Sequence, residues 1–218
     1  PATIQDDLRR RDFTINSMAI RLDGDHFGKL LDPLNGQADL QEGLIRVLHP
    51  RSFIDDPTRI FRAIRYEARY SFNLEPSTLN LINPEALDVI PRLSGERIRH
   101  ELDLIFEEEN SSQMILRVGE FGLFKMIHPS LPLFNPDYSF FLEIDSTLDI
   151  PSSKPEIGYM LWLMDSSEDE ILSIGQRLDF TSDLTYSIWA VSQLKKSLPF
   201  LVGSTPSVWT YALEKLPL

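Results

Sequence analysis

The stretch DDPTRIFRAIRYEARY, residues 55–70, is the most informative part of this 218-residue chain. Asp56 is a good N-cap residue and Pro57 suits the first helical position, so a helix is predicted to begin here. The apolar residues Ile60, Phe61 and Ile64 would share one buried face. The opposite face would carry four arginines at intervals of three or four residues: Arg59, Arg62, Arg65 and Arg69. This pattern indicates either a face that binds anions or an ordinary solvated helix surface.

A second cationic segment, RRRDFTINSMA, occupies residues 9–19. Guanidinium groups offer a planar fork of donors to phosphate oxygens, whereas the Asp12 carboxylate and the Asn16 carbonyl can accept hydrogen bonds from ribose hydroxyls. A short helix is predicted from Thr14 to Ala19. Taken alone, the segment is slightly more typical of a basic surface turn.

Two further segments have mainly structural signals. Residues 31–47, LDPLNGQADLQEGLIRV, contain the turn formers Asp-Pro and Asn-Gly and end in a predicted strand. Residues 93–102, LSGERIRHEL, open a helix with Ser94 as the predicted N-cap.

In this order the four segments resemble the bacterial class II tRNA nucleotidyltransferases (CCA-adding enzymes) and poly(A) polymerases. The family motif RRDFTxNA matches Arg10–Ser17, with Ser17 in place of the common Ala, and DPxxGxxDLxxGxIR matches Asp32–Arg46. The nucleotide-selecting motif EDxxR matches Asp55–Arg59, with Asp55 in place of Glu, and RLSxERI matches Arg92–Ile98.

The resemblance implies that side chains replace a nucleic-acid template. Asp56 would accept a hydrogen bond from the exocyclic amino group of CTP or ATP, and Arg59 would donate to the base edge. By the same resemblance Arg62 and Arg65 reach the triphosphate. The full implied nucleotide-binding set is Arg11, Asp12, Asn16, Asp56, Arg59, Arg62 and Arg65, with Asp12 and Asn16 close to the ribose.

The resemblance also implies chemistry that these residues do not supply. The family holds two Mg²⁺ ions with a carboxylate pair that precedes the RRD motif by many residues, whereas nine residues precede Arg10 here. We therefore expect the catalytic and metal-binding residues upstream, and no extension of tRNA by this chain alone. Asp23-Gly24-Asp25 is interpreted as a turn and not as a metal site. The loop that decides between CC, A and full CCA addition also precedes this motif in the family, so C and/or A addition is predicted.

Composition agrees with a cytoplasmic protein and gives no sign of a membrane partner. The chain has no cysteine and no apolar run of membrane-spanning length. The net charge of -12 is uneven: residues 1–100 carry 14 Lys and Arg against 15 Asp and Glu, whereas residues 101–218 carry 7 against 18. Nucleotide and tRNA are therefore expected at the arginine-bearing first half.

The predicted fold is mainly α, with a small α/β remnant of a nucleotidyltransferase head at the N-terminus. Residues 1–50 would form the end of the head, residues 51–110 a helical neck with the selecting motif, and residues 111–218 a helical body that supports tRNA. Short strands are predicted near residues 20–22 and 45–48. Ser166–Glu170 and Ser182-Asp183 would start helices, and Pro199 and Pro206 would interrupt them. The tryptophans are expected in the core, and the oligomeric state is left open.

Three functions fit these motifs. The first is part of a tRNA nucleotidyltransferase that uses CTP and ATP at the tRNA 3′ end. The second is a bacterial poly(A) polymerase, which shares the head and neck. The third, of another class, is a non-catalytic RNA-binding helical module.

Overall fold

A computed structural model describes residues 3–138 and 153–214, which fall into two compact units, residues 1–90 and residues 91–218. Within the described residues the chain is mainly helical with four short strands, so the predicted fold class is confirmed. The three-part division into head, neck and body stays a prediction.

The first unit is built from short helices around one longer helix. Its 3₁₀ helices are Thr14–Asn16 and Gly24–His26, and its α-helices are α1 (Ile4–Leu8), α2 (Gly36–Glu42), α3 (Ser52–Asp55), α4 (Thr58–Tyr70), α5 (Pro76–Asn80) and α6 (Pro84–Leu87). The core of the unit includes Phe13, Phe53 and Phe61, each at most 1% exposed.

Four strands of two residues form two separate pairs in the described part of this unit. Strands β1 (Ala19–Ile20) and β2 (Leu30–Leu31) are antiparallel, whereas β3 (Leu44–Ile45) and β4 (Asn73–Leu74) are parallel. The two predicted strands were therefore placed correctly to within three residues, but β2 and β4 were missed. Strands this short carry almost no periodic signal.

The predicted helix from Thr14 to Ala19 is wrong, because the structure has one 3₁₀ turn there. The Ser17 hydroxyl donates to the Phe13 carbonyl at 2.9 Å, and the chain then leaves the turn so that Ala19 can pair with Leu31. Pairing with a distant strand outweighs local helix preference in this segment.

The arginine-bearing helix α4 begins one residue later than predicted, at Thr58 and not at Pro57. Asp56 is extended and Pro57 occupies the cap position, while the Asp56 Oδ1 atom accepts hydrogen bonds from the Thr58 hydroxyl at 2.7 Å and the Thr58 backbone N–H at 3.3 Å. The first backbone bonds span three residues, from Arg59 to Asp56 and from Ile60 to Pro57. This tight opening turn is why Pro57 precedes the α-helix.

The second unit is helical throughout its described residues. Its α-helices are α7 (Gly95–Phe106), α8 (Ser111–Glu120), α9 (Leu123–Ile127), α10 (Lys154–Leu163), α11 (Glu168–Leu178), α12 (Ser182–Leu201) and α13 (Pro206–Glu214), with a 3₁₀ turn at Pro136–Tyr138. Helix α7 lies at the centre and contacts α8, α10 and α11. Gly158 lets α10 approach α7, because a Cβ there would lie 2.4 Å from the Phe106 ring.

Most predicted helix starts in this unit are confirmed. Ser94 caps α7, and Ser167 caps α11 with a reciprocal bond from its backbone to Glu170. Trp162 is 3% exposed and donates to the Pro132 carbonyl, as expected of a core residue, whereas Trp189 and Trp209 are only half-buried. Pro199 does not interrupt α12; it lies in the last turn, which closes by a bond from Val202 to Leu198. Pro206 does separate α12 from α13.

No described helix is long and apolar enough to cross a membrane.

Candidate functional site

The arginine-bearing helix α4 is fixed by its apolar face. Ile60, Phe61 and Ile64 are at most 1% exposed, which holds the helix firmly against the rest of the first unit. Burial of such side chains stabilises a helix position by about 1.5–3 kcal/mol each. The opposite side of α4 can therefore present charged groups from a rigid support.

The segment that carries Arg11 and Asp12 is held by residues from the DPxxGxxDLxxGxIR motif. The Thr14 hydroxyl donates to Asp39 at 2.6 Å, and its backbone N–H donates to the Arg46 carbonyl at 2.9 Å. Asp39 is 5% exposed and also accepts from Arg46 Nε at 3.0 Å. This second motif therefore positions the first one and does not enter the cleft itself.

Helix α2 comes closest to the segment around Thr14 at Gly36. A Cβ at Gly36 would lie 2.2 Å from the Thr14 carbonyl oxygen, far inside contact distance. The Asp32 carboxylate accepts from the Gly36 N–H at 2.7 Å and from the Gln37 N–H at 3.0 Å, and so caps α2 at that point. The structure thus explains why the motif has Asp at position 32 and Gly at position 36.

A polar cleft of about 490 Å³ lies between this supported segment and the start of α4. Its lining consists of Arg10, Arg11, Asp12, Asn16, Asp56, Arg59, Arg62 and Tyr66. Four arginines and two aspartates give the lining a net formal charge of +2 at neutral pH. Such a cleft attracts a polyanion of small size.

Asp12 organises the centre of the cleft. It is 8% exposed; its Oδ1 atom accepts from Asn16 Nδ2 at 2.8 Å, and its Oδ2 atom accepts from Arg62 Nε at 2.7 Å. The Phe13 backbone N–H donates to Oδ1 as well, at 2.9 Å. Burial raises the pKa of Asp12, but the bond from Asn16 and the charge and bond of Arg62 outweigh it, so the pKa lies below its usual value. Asp12 is thus a stable carboxylate that orients both partners.

Arg62 makes a second contact inside the same helix. Its Nη2 atom donates to the Tyr66 hydroxyl at 3.1 Å, and its guanidinium lies 5.6 Å from the centre of the Tyr66 ring. The ring of Tyr66 packs edge-on against Phe13 at 5.6 Å. Tyr66 therefore links the cleft to the core of the unit.

Six of the seven residues named from sequence line this cleft. The exception is Arg65, which is 6% exposed and is not among the lining residues; its contact with a triphosphate stays a prediction. Sequence reasoning missed Arg10 and Tyr66 as lining residues. Spacing could have identified Tyr66, because it lies one helical turn after Arg62.

Among the described residues, no group of three or more His, Asp or Glu side chains could hold a metal ion. Asp23 precedes the 3₁₀ turn Gly24–His26 and is ion-paired with Arg21, so Asp23-Gly24-Asp25 enters a turn as predicted. The side chains of the cleft can bind and orient an anionic ligand.

Two family models match separate parts of the chain. The Poly A polymerase head domain matches residues 1–46, and the model described as a probable RNA and SrmB-binding site of polymerase A matches residues 71–134. An A-adding tRNA nucleotidyltransferase from Geobacter sulfurreducens is 46% identical over 133 residues, which cover 61% of this chain and 15% of the relative. The chain belongs to the class II tRNA nucleotidyltransferase and poly(A) polymerase family. This confirms the resemblance drawn from the four motifs.

Other members of the family cover more of the chain. The Multifunctional CCA protein of Neisseria gonorrhoeae is 34% identical over 186 residues, 80% of this chain and 40% of the relative. The Thermotoga maritima CCA-adding enzyme complexed with tRNA superposes with a TM-score of 0.77 at 36% identity, over 92% of this chain and 50% of that one. CCA-adding enzyme structures with ATP and with CTP superpose with TM-scores of 0.77 and 0.74 at 32% and 31% identity, and 53% and 56% of those chains are covered. The chain thus spans less than half the length of the curated relatives from Geobacter sulfurreducens and Neisseria gonorrhoeae.

Proposed function

We propose that the protein adds C and/or A to the 3′ end of tRNA from CTP and ATP, and that the cleft of the first unit selects the incoming nucleotide. The observation that carries this proposal is the meeting of two motifs in one cleft. The segment with Arg11 and Asp12 lies beside Asp56 and Arg59, so the cations proposed to bind phosphate and the groups proposed to read the base share one small space. The relatives that act on tRNA, and those solved with ATP, CTP or tRNA, support it.

The side chains in the cleft suit the two ends of a nucleotide. Arg11 is exposed and pairs only weakly with Asp7 at 3.0 Å, since an exposed ion pair contributes at most about 1 kcal/mol. A triphosphate can therefore displace Asp7. Asp56 offers a carboxylate and Arg59 offers N–H donors, which match the amino group and the ring acceptors shared by the base edges of C and A.

Mg²⁺ belongs to this proposal through the family. It would be held by carboxylates outside these 218 residues, and it supplies charge stabilisation at the transferred phosphate. No step assigned to the residues described above depends on it. A cytoplasmic location agrees with a tRNA substrate and is part of the same proposal.

Product length separates this function from its rivals. The full-length protein is incubated with Mg²⁺, each NTP in turn, and tRNAs ending before CCA or after CC, and the products are resolved at single-nucleotide resolution. We expect addition of C or A that stops after one to three residues. Long A tails on several unrelated RNAs would support a poly(A) polymerase instead. The match to the Poly A polymerase head domain is the observation that favours this alternative.

The non-catalytic alternative makes a different prediction. An RNA-binding module should bind tRNA, add nothing, and be indifferent to Asp56→Ala, because this change removes an acid and no phosphate contact. The matching RNA-binding family model at residues 71–134 is the observation that favours this alternative. Running the 218-residue chain beside the full-length protein also tests the expected upstream carboxylates, since extension by the short chain would contradict them.

A further inference from the structure

Ser52 contacts both residues that are proposed to read the base. It is the first residue of α3 and is 0% exposed. Its Oγ atom accepts a hydrogen bond from Arg59 Nη1 at 2.6 Å, and its backbone carbonyl accepts one from the Asp56 N–H at 3.2 Å. One buried residue therefore holds the Asp56 backbone and the Arg59 guanidinium, two residues that line the same cleft.

Arg59 is held at a second point as well. Its Nη2 atom donates to the Arg10 carbonyl at 3.2 Å, so both terminal nitrogens of the guanidinium have fixed partners. Two bonds to different nitrogens determine the plane of the group, whereas one bond would let it rotate. Reading a base edge requires that plane to be set, because guanidinium donors lie in it.

The support under Ser52 is rigid. The neighbouring side chain of Phe53 is 1% exposed, and the Ser52 N–H donates to the His49 carbonyl at 3.1 Å. A hydroxyl carried by a packed turn can hold a long arginine side chain in one rotamer. A methyl group at that position could not accept the bond and would leave Nη1 unheld.

We propose that Ser52 is a positioning residue for nucleotide selection: it orients the Arg59 guanidinium through its hydroxyl and fixes Asp56 through its backbone. This inference rests on the proposed function of the cleft. Ser52 itself has no exposed surface and does not contact the nucleotide.

The test compares Ser52→Ala, Arg59→Ala and the double variant in the full-length protein. The measured quantity is the ratio of kcat/KM for ATP to kcat/KM for GTP in single-nucleotide addition. We expect Ser52→Ala to lower that ratio by about tenfold, the size of one hydrogen bond to a charged group, mainly through a higher KM for ATP. The double variant should be no less selective than Arg59→Ala, because Ser52 acts through Arg59.

Ser192→Ala is the matched control. Ser192 is also 0% exposed, and its hydroxyl donates to the Ser166 carbonyl at 3.1 Å within the second unit. It should leave the selectivity ratio unchanged. Thermal midpoints are recorded for every variant. Ser52→Thr keeps the hydroxyl, so its selectivity ratio should stay within about twofold of that of the unsubstituted protein.

Each outcome decides a separate point. Unchanged selectivity in Ser52→Ala, with selectivity lost in Arg59→Ala, would overturn the role of Ser52 and leave the proposed function standing. Unchanged selectivity in Arg59→Ala would overturn base reading by this cleft and the role of Ser52 with it. If Ser52→Ala does not fold, Ser52→Thr decides: a folded Ser52→Thr protein without selectivity overturns the inference, and one that keeps it supports the inference.

Discussion

Asp12 shows how one buried carboxylate arranges the cleft. It accepts hydrogen bonds from Asn16, from Arg62 and from the Phe13 backbone, all at 2.9 Å or less. These contacts occupy both oxygens, so Asp12 orients other groups. Its proximity to ribose, implied by the family, would then require a bound nucleotide to replace one of these donors.

Removal of this carboxylate should destabilise the first unit. Asp12→Ala leaves a backbone N–H and part of a guanidinium without an acceptor, and we expect a loss of about 1–3 kcal/mol in the free energy of unfolding. Urea denaturation followed by circular dichroism measures it. Asp7→Ala, which removes an exposed ion pair with Arg11, is the control and should change stability by less than about 0.5 kcal/mol. Equal losses of stability in Asp12→Ala and Asp7→Ala would contradict the role of Asp12 in organising the cleft.

The same carboxylate predicts a pH dependence. Because the pKa of Asp12 is lowered in the folded state, its contribution to stability is present above the usual value of 3.8 and is lost as the pH falls below it. Asp12→Asn should therefore flatten the decrease of stability between about pH 5 and pH 2. Urea midpoints at successive pH values test this. The same decrease of stability at acidic pH in both proteins would count against it. Other carboxyls with lowered pKa, such as Glu75, keep part of the decrease in both proteins.

At the scale of elements, the site depends on the support that α2 gives to the cationic segment. Gly36 is the contact point, since a Cβ there would lie 2.2 Å from the Thr14 carbonyl oxygen. Gly36→Ala should cost about 1–3 kcal/mol of stability by forcing α2 away, and should weaken ATP binding by shifting Arg11 and Asp12. Thermal unfolding and ATP titration measure the two effects.

Gly175→Ala is a suitable control for Gly36→Ala. Its added Cβ would lie 3.1 Å from the Thr185 hydroxyl, which belongs to a side chain and can move. Alanine is also the better helix former, by roughly 0.5–1 kcal/mol. The control should change stability by no more than about 1 kcal/mol, and a larger loss there than in Gly36→Ala would contradict the assignment.

Sequence reasoning found the elements whose signals are local. The amphipathic pattern of α4 and the caps at Ser94 and Ser167 follow from spacing and side-chain chemistry. It failed where a distant contact decides the outcome. Ser17 ends a turn because strand β2 pairs with the next residues, and the burial of Arg65 depends on what packs around α4. Ser52 carries no motif of its own, so its contact with Arg59 is visible only in three dimensions.

For the whole molecule, the distribution of charge matters more than its sum. The chain carries a net charge of -12, yet the cleft lining carries +2. Nucleotide affinity should therefore follow the local cations, and should fall several-fold when NaCl rises from 50 to 200 mM. Arg62→Ala should weaken ATP binding and make this salt dependence shallower. Affinity that is independent of salt would contradict an electrostatic role for the cleft.

In the proposed function, Asp56 and Arg59 choose the base while Arg62 binds phosphate. The measurement is kcat/KM for addition of each of the four nucleotides to tRNA by the full-length protein, its Asp56→Ala variant and its Arg62→Ala variant. We predict that Asp56→Ala reduces the preference for CTP and ATP over UTP and GTP by about tenfold or more, whereas Arg62→Ala lowers all four values by a similar factor. An unchanged preference in Asp56→Ala, or a base-selective loss in Arg62→Ala, would contradict these roles.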